Sequence, residues 1–72
     1  MAGTISSTFI GNRIRELRKT NNMTIKELAN TLNVNSGTIY AWESGYRIPR
    51  LEALVDICNM YKVSLDSFVM YE

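Results

Sequence analysis

The sequence predicts an all-α domain of five short helices. Three observations carry that expectation. Apolar residues recur at spacings of three and four, side chains suited to capping helices interrupt them at short intervals, and no stretch alternates long enough for a strand. The 72 residues suffice for one domain, though one so small buries little of its surface. It is expected over residues 8–72, preceded by a flexible N-terminal segment, residues 1–7.

Ser7 or Thr8 caps the first helix, which runs to about Thr20 with Ile10, Ile14 and Leu17 as its apolar stripe. Asn21 and Asn22 end it, because asparagine tolerates a left-handed cap. Thr24-Ile25-Lys26-Glu27 reads as a capping box that starts a second helix with Leu28, Ala29 and Leu32 inward. The chain turns at Asn33, and Asn35 or Ser36 caps a third helix with Ile39 and Trp42 inward. Ser44-Gly45 stops it. Pro49 opens a fourth helix carrying Leu51, Leu54, Ile57, Cys58 and Tyr61. Ser64 caps a fifth, with Leu65 and Phe68 inward and Asp66 near its positive end.

Composition narrows the function classes. There is one cysteine, Cys58, and no histidine, which excludes a disulfide framework and a zinc site of several Cys and His ligands. No serine or cysteine has a histidine base, and no paired carboxylates mark an acid–base site, so no enzyme, catalytic residue, metal or cofactor is expected. No apolar run is long enough for a membrane span, and Met1 to Ser7 lacks the pattern of a secretory signal. A cytoplasmic protein is expected. Net charge is only +1, but residues 1–50 hold seven Lys/Arg against three acids while residues 51–72 hold Lys62 against four acids. A basic part and an acidic part suit two different contacts.

Residues 24–43 make a helix, a turn too short for a hairpin of equal helices, and a second helix. Ala29 permits close approach and Val34 plugs the corner. This is a helix-turn-helix pattern. Around it, Ile10 to Arg18 resembles the opening helix of the Cro/CI-type, lambda-repressor-like family, and Thr24 to Ala29 resembles that family's Ser/Thr-Gln-x-x-Leu-Ala. Leu32-Asn33-Val34-Asn35 resembles its Leu-Gly-Val-Ser turn, and Ile39-x-x-Trp42-Glu43-x-Gly45 its Ile-x-x-Trp-Glu-x-Gly. Ile48-Pro49-x-Leu51 and Val63-Ser64-Leu65-Asp66 match its fourth and fifth helices. The ordered set spans residues 9–69.

The chain departs from the family at Ile25, where a glutamine is usual, and at Asn33 and Lys62, where glycine is frequent. A left-handed conformation at Lys62 costs on the order of 1 kcal/mol. The outward positions of the third helix are small.

The resemblance implies a compact five-helix domain that binds double-stranded DNA and regulates transcription, most simply as a repressor. The third helix would enter the major groove. Asn35, Ser36, Gly37, Tyr40 and Ala41 are then the base-contacting candidates; Ser36 and Tyr40, four apart, share a face. Thr24, Ile25, Lys26, Ser44, Tyr46, Arg47 and Arg50 are the phosphate-contacting candidates, Ile25 through its backbone. The resemblance also implies an ion pair between Arg18 and Glu43. The surplus of apolar residues at the end of the chain points to a homodimer through Val69, Met70 and Tyr71. No small-molecule effector site is expected. The alternative is an antitoxin-like module whose acidic half binds another protein.

Overall fold

The computed structural model describes residues 3–71. It contains four α-helices: α1 (Ser7–Thr20), α2 (Ile25–Leu32), α3 (Ser36–Glu43) and α4 (Leu51–Tyr61). A 3-10 turn follows at Leu65–Phe68, and two short strands, β1 (Gly3–Thr4) and β2 (Met70–Tyr71), pair antiparallel with Gly3 opposite Tyr71 and Thr4 opposite Met70. Helix α3 packs against both α1 and α2, while α4 and the 3-10 turn close the far side. Among the described residues no helix is long and apolar enough to cross a membrane.

One expectation is corrected. The fifth helix is a single 3-10 turn of four residues, and Ser64 makes no side-chain cap bond to it. One turn leaves too few hydrogen bonds to offset the fixing of its backbone as an α-helix, and at Val69 the chain already returns to the extended conformation. The segment 1–7 also carries structure: β1 lies within it, Ser6 caps α1 by accepting from the Phe9 N–H, and Ser7 is the first helical residue. Met1, Ala2 and Glu72, at the limits of the two expected segments, lie outside the described residues.

The core is one cluster. Ile10, Ile14 and Leu17 from α1 meet Leu28 and Ala29 from α2, Ile39 and Trp42 from α3, Leu54, Ile57 and Cys58 from α4, and Phe68 from the 3-10 turn. Each large apolar side chain buried here stabilises by roughly 1.5–3 kcal/mol. Burial pushes the Cys58 thiol pKa up, which keeps it a packing group. Leu65, expected inward, is 40% exposed, and Leu51 on the fourth helix is 64% exposed. Arg50 stays extended after Pro49, so α4 begins two residues later than expected and Leu51 occupies the first helical position.

Backbone signals set the corners. Asn22, Asn33 and Lys62 all have φ near +57°, at 56°, 58° and 58°. Asn33 is the α2 cap, and its N–H and that of Val34 return to the Ala29 carbonyl. Lys62 caps α4 in the same conformation without asparagine's local hydrogen bonding.

Helix α1 approaches α3 most closely at Gly11. A Cβ there would lie 2.2 Å from the Trp42 carbonyl oxygen and 2.9 Å from that of Glu43. Two helical turns further along α1, Arg18 meets the buried Glu43 carboxylate. Arg18 Nε donates to Glu43 Oε2 at 2.7 Å and Nη2 donates to Oε1 at 3.0 Å. Its Nη1 donates to the Met23 carbonyl at 2.9 Å, just before α2. The Glu43 bond, partly opposed by burial, raises the Arg18 pKa above its already high ordinary value. A second arginine, Arg15, donates to Glu43 Oε1 at 3.3 Å.

Two stability measurements test this account. Arg18→Ala is expected to cost roughly 3–5 kcal/mol in urea denaturation, because the Glu43 charge stays buried with only Arg15 beside it. A loss below about 1 kcal/mol would mean that the pair is as weak as a surface one. Lys62→Gly is expected to raise stability by about 1 kcal/mol through relief of the left-handed strain. A lower melting temperature for that variant would refute the strain.

Candidate nucleic-acid interface

The interface begins at α2. Thr24 Oγ1 accepts from the Glu27 N–H at 3.0 Å, and Glu27 Oε1 accepts from the Thr24 N–H at 2.8 Å. The box holds the Glu27 carboxyl below the usual carboxylate range, chiefly through the Thr24 backbone bond. Among the described residues, the first-turn N–H groups of Ile25 and Lys26 have no acceptor within the helix. The Ile25 side chain packs on the core while Lys26 is exposed, so the backbone and one ammonium are presented together. A helix N-terminus with a cation beside it suits an anionic oxygen.

The turn into α3 is fixed by Asn35. Its Oδ1 accepts from the Thr38 N–H at 2.9 Å and from the Thr38 hydroxyl at 3.1 Å. Of the two expected caps, Asn35 is the one used, and Ser36 is the first helical residue. The capping role occupies the Asn35 carbonyl oxygen and leaves its amide nitrogen as the free donor. Beyond it, Ile39, Trp42 and Glu43 face inward. Tyr40 is 61% exposed, Gly37 is exposed, and Ser36 and Ala41 are half-buried. This outer face is narrow, with one long side chain among small ones. A Cβ on Gly37 would meet only the Asn35 side chain, at 3.2 Å, so the backbone there is open to close approach.

The Ala41 carbonyl organises the loop that follows. It accepts from the Tyr46 N–H at 2.9 Å, the Arg47 N–H at 3.1 Å and the Ser44 hydroxyl at 3.2 Å. Gly45 makes the turn with φ of +81° and sits close to Thr8 at the start of α1. Tyr46 is 83% exposed. Arg47 and Arg50 are exposed and have no carboxylate partner among the described residues. Thus Lys26, Arg47 and Arg50 are solvated cations on the two segments that flank α3.

The residues singled out for a dimer lie elsewhere. Met70 and Tyr71 form β2 and are exposed, Val69 is half-buried, and the Tyr71 hydroxyl donates to Asp66. Two residues that position the interface are absent from the expected site set. Gly11 lets α1 reach the end of α3, and Arg15 shares Glu43 with Arg18. The sequence signal for Gly11 is a small residue beside the apolar stripe of α1. None marks Arg15, since its partner lies 28 positions away.

A family described as Helix-turn-helix (HTH_3) matches residues 14–68. The HTH-type transcriptional regulator AnsR of Bacillus subtilis is 35% identical over 57 residues, covering 79% of this chain and 49% of AnsR. This chain therefore spans about half the length of such relatives. The structure of SinR, a master regulator for biofilm formation solved in complex with DNA, superposes with a TM-score of 0.73 at 25% identity. That match covers 82% of this chain and 95% of the SinR chain. Hydroxypropylphosphonic acid epoxidase from S. wedmorenis superposes with a TM-score of 0.80 at 24% identity, over 92% of this chain but only 35% of the enzyme. It shares the fold alone, as one part of a larger chain. The chain belongs to the HTH_3 helix-turn-helix family, the Cro/CI type that its motifs resemble.

Proposed function

We propose that the chain is a sequence-specific, double-stranded-DNA-binding regulator of transcription, acting in the cytoplasm and most simply as a repressor that occludes a promoter. Helix α3 reads the major groove. What supports this most is the outer face of α3, held from behind by the buried Arg18–Glu43 pair and flanked by Lys26, Arg47 and Arg50. Ser36, Tyr40 and the Asn35 amide donate or accept at base edges, and the Ala41 methyl meets a thymine methyl. The Ile25 and Lys26 N–H groups, with Thr24, Ser44, Tyr46, Arg47 and Arg50, hold phosphates and fix the register. With one long side chain on the reading face, specificity leans also on DNA shape.

Two chains bind as a symmetric dimer on half-sites about 34 Å apart. Val69, Met70 and Tyr71 contribute to the contact. It is supported by the exposed apolar residues Ile5, Ile48, Leu51 and Leu65, which border a cavity of about 120 Å³ with an apolar lining.

In vitro selection of bound duplexes, followed by titrations at several salt concentrations, tests the DNA reading. Arg47→Ala is expected to weaken binding to every sequence and to lower the salt slope by about 1. Ser36→Ala and Tyr40→Ala should lose about 1–3 kcal/mol on the selected site and little elsewhere. Unchanged sequence preference in both would remove α3 as the reading element. Absence of duplex binding at low salt would instead favour the protein-binding alternative, for which the same apolar surface and the acidic residues 51–72 are suited. For assembly, sedimentation should give a dimer mass that Met70→Asp shifts toward the monomer. A monomer at high concentration, bound to single half-sites only, would rule out the dimer.

A further inference from the structure

The Glu43 carboxylate is shared by two arginines that have different surroundings. Arg18 engages both oxygens, and both side chains of that pair are buried. Arg15 adds one longer bond through Nε, at 3.3 Å, and its side chain stays 48% exposed. Two guanidinium charges against one carboxylate leave one positive charge in surplus. Among the described residues, the Nη1 and Nη2 groups of Arg15 donate to no acceptor. Arg13, two residues earlier, differs: it is paired with Glu16 on the same helix.

Arg15 also belongs to a surface. Thr8, Asn12, Arg15 and Lys19 are all exposed and follow one another at spacings of four, three and four, so they form a single polar stripe along α1. At Thr8 the stripe meets the loop after α3, where a Cβ on Gly45 would lie 3.3 Å from Thr8 Cα. The neighbours of Gly45, Ser44 and Tyr46, are in the phosphate-contacting set proposed above. Glu43 ends α3, so Arg15 is anchored beside the reading helix itself. Arginine held at Nε keeps its outer fork of N–H donors free, and that fork matches the oxygens of a phosphate.

We propose that Arg15 is a further phosphate-contacting residue, that Glu43 is its positioning residue, and that the phosphate track continues from the loop after α3 onto α1. The inference rests on the DNA-binding reading. Glu43 then serves two arginines: Arg18, which locks the helices, and Arg15, whose side chain is pre-oriented and loses less freedom on binding.

Fluorescence anisotropy with a selected duplex and an unrelated duplex, between 50 and 200 mM salt, tests it on the full chain. Arg15→Ala is expected to lower the slope of log affinity against log salt by about 0.9 per chain. Across that range this amounts to a three- to fourfold smaller loss of affinity, on about the same scale for both duplexes. Arg15→Gln, which keeps a side chain long enough to reach Glu43, should give the same slope change if the alanine variant unfolds. Arg15→Lys keeps the charge but not the fork, and should retain the slope while binding more weakly than wild type. Arg13→Ala should leave the slope unchanged.

A wild-type slope in both Arg15→Ala and Arg15→Gln, with a reduced slope in Arg47→Ala, would overturn the Arg15 contact and leave the DNA reading intact. Wild-type affinity in Arg15→Lys would overturn the positioning role of Glu43. If wild type bound neither duplex at low salt, the DNA reading would fail and this proposal with it.

Discussion

A carboxylate at the C-terminal end of a helix faces the negative end of the backbone dipole. Glu43 is in that position on α3 and is also removed from water, so its charge has to be balanced from outside its own helix. The balance comes from α1. Arg18 reaches it because Gly11 allows the two backbones to touch two turns earlier on α1, where any Cβ would overlap the Trp42 carbonyl. The crossing of α1 over α3 is therefore set twice, by sterics at Gly11 and by charge at Glu43. Arg18 extends the same constraint to α2 through the Met23 carbonyl. Three helices are thus referenced to one ionised group, and the outward face of α3 is the geometrical remainder.

The flanking segments are held by a different device. Backbone carbonyls and capping side chains do the work there, and the charged side chains are left unengaged. The Ala41 carbonyl gathers Ser44, Tyr46 and Arg47, and the Thr24–Glu27 box fixes the start of α2. A surface built this way keeps its donors and cations available, because folding does not consume them. It also explains why a chain of net charge +1 can present a locally basic face: most acids of residues 3–50 are committed to Arg18, Arg13 or the Thr24 backbone.

Legibility in the sequence followed the range of the interaction. The Thr24 capping box, the left-handed Asn33 and the stripes of α1 and α3 depend on residues within four positions of one another, and their signals were readable. The start of α4 at Leu51 depends on Arg50 staying extended, a choice of one residue that apolar spacing does not encode. The 3-10 turn at Leu65–Phe68 carries the same apolar pattern as a helix and differs only in how soon the chain leaves it. The pairing of Gly3–Thr4 with Met70–Tyr71 has no local pattern at all, since two residues cannot alternate. Within the interface, Asn35 is legible as a cap, whereas the bond from Arg15 to Glu43 spans 28 positions and has no local pattern.

That small sheet has a kinetic meaning. It joins positions 3 and 71, so it closes nearly the whole chain into a ring on the strength of two residue pairs. The entropy of ring closure grows only with the logarithm of its length, but two pairs return little against it. While the chain is still disordered, such a contact has almost no chance of persisting. Once α1 and the 3-10 turn have docked, its ends are already neighbours and the remaining closure is short. The sheet is therefore a latch that forms last and opens first. Opening it frees the segments that carry Ile5 and Val69, at the edge of the apolar cavity, while the helices and the ion pair stay in place. The domain then has a sub-global open state confined to the surface farthest in character from its basic one, and amide exchange at residues 3, 4, 70 and 71 would report that state separately from unfolding of the core.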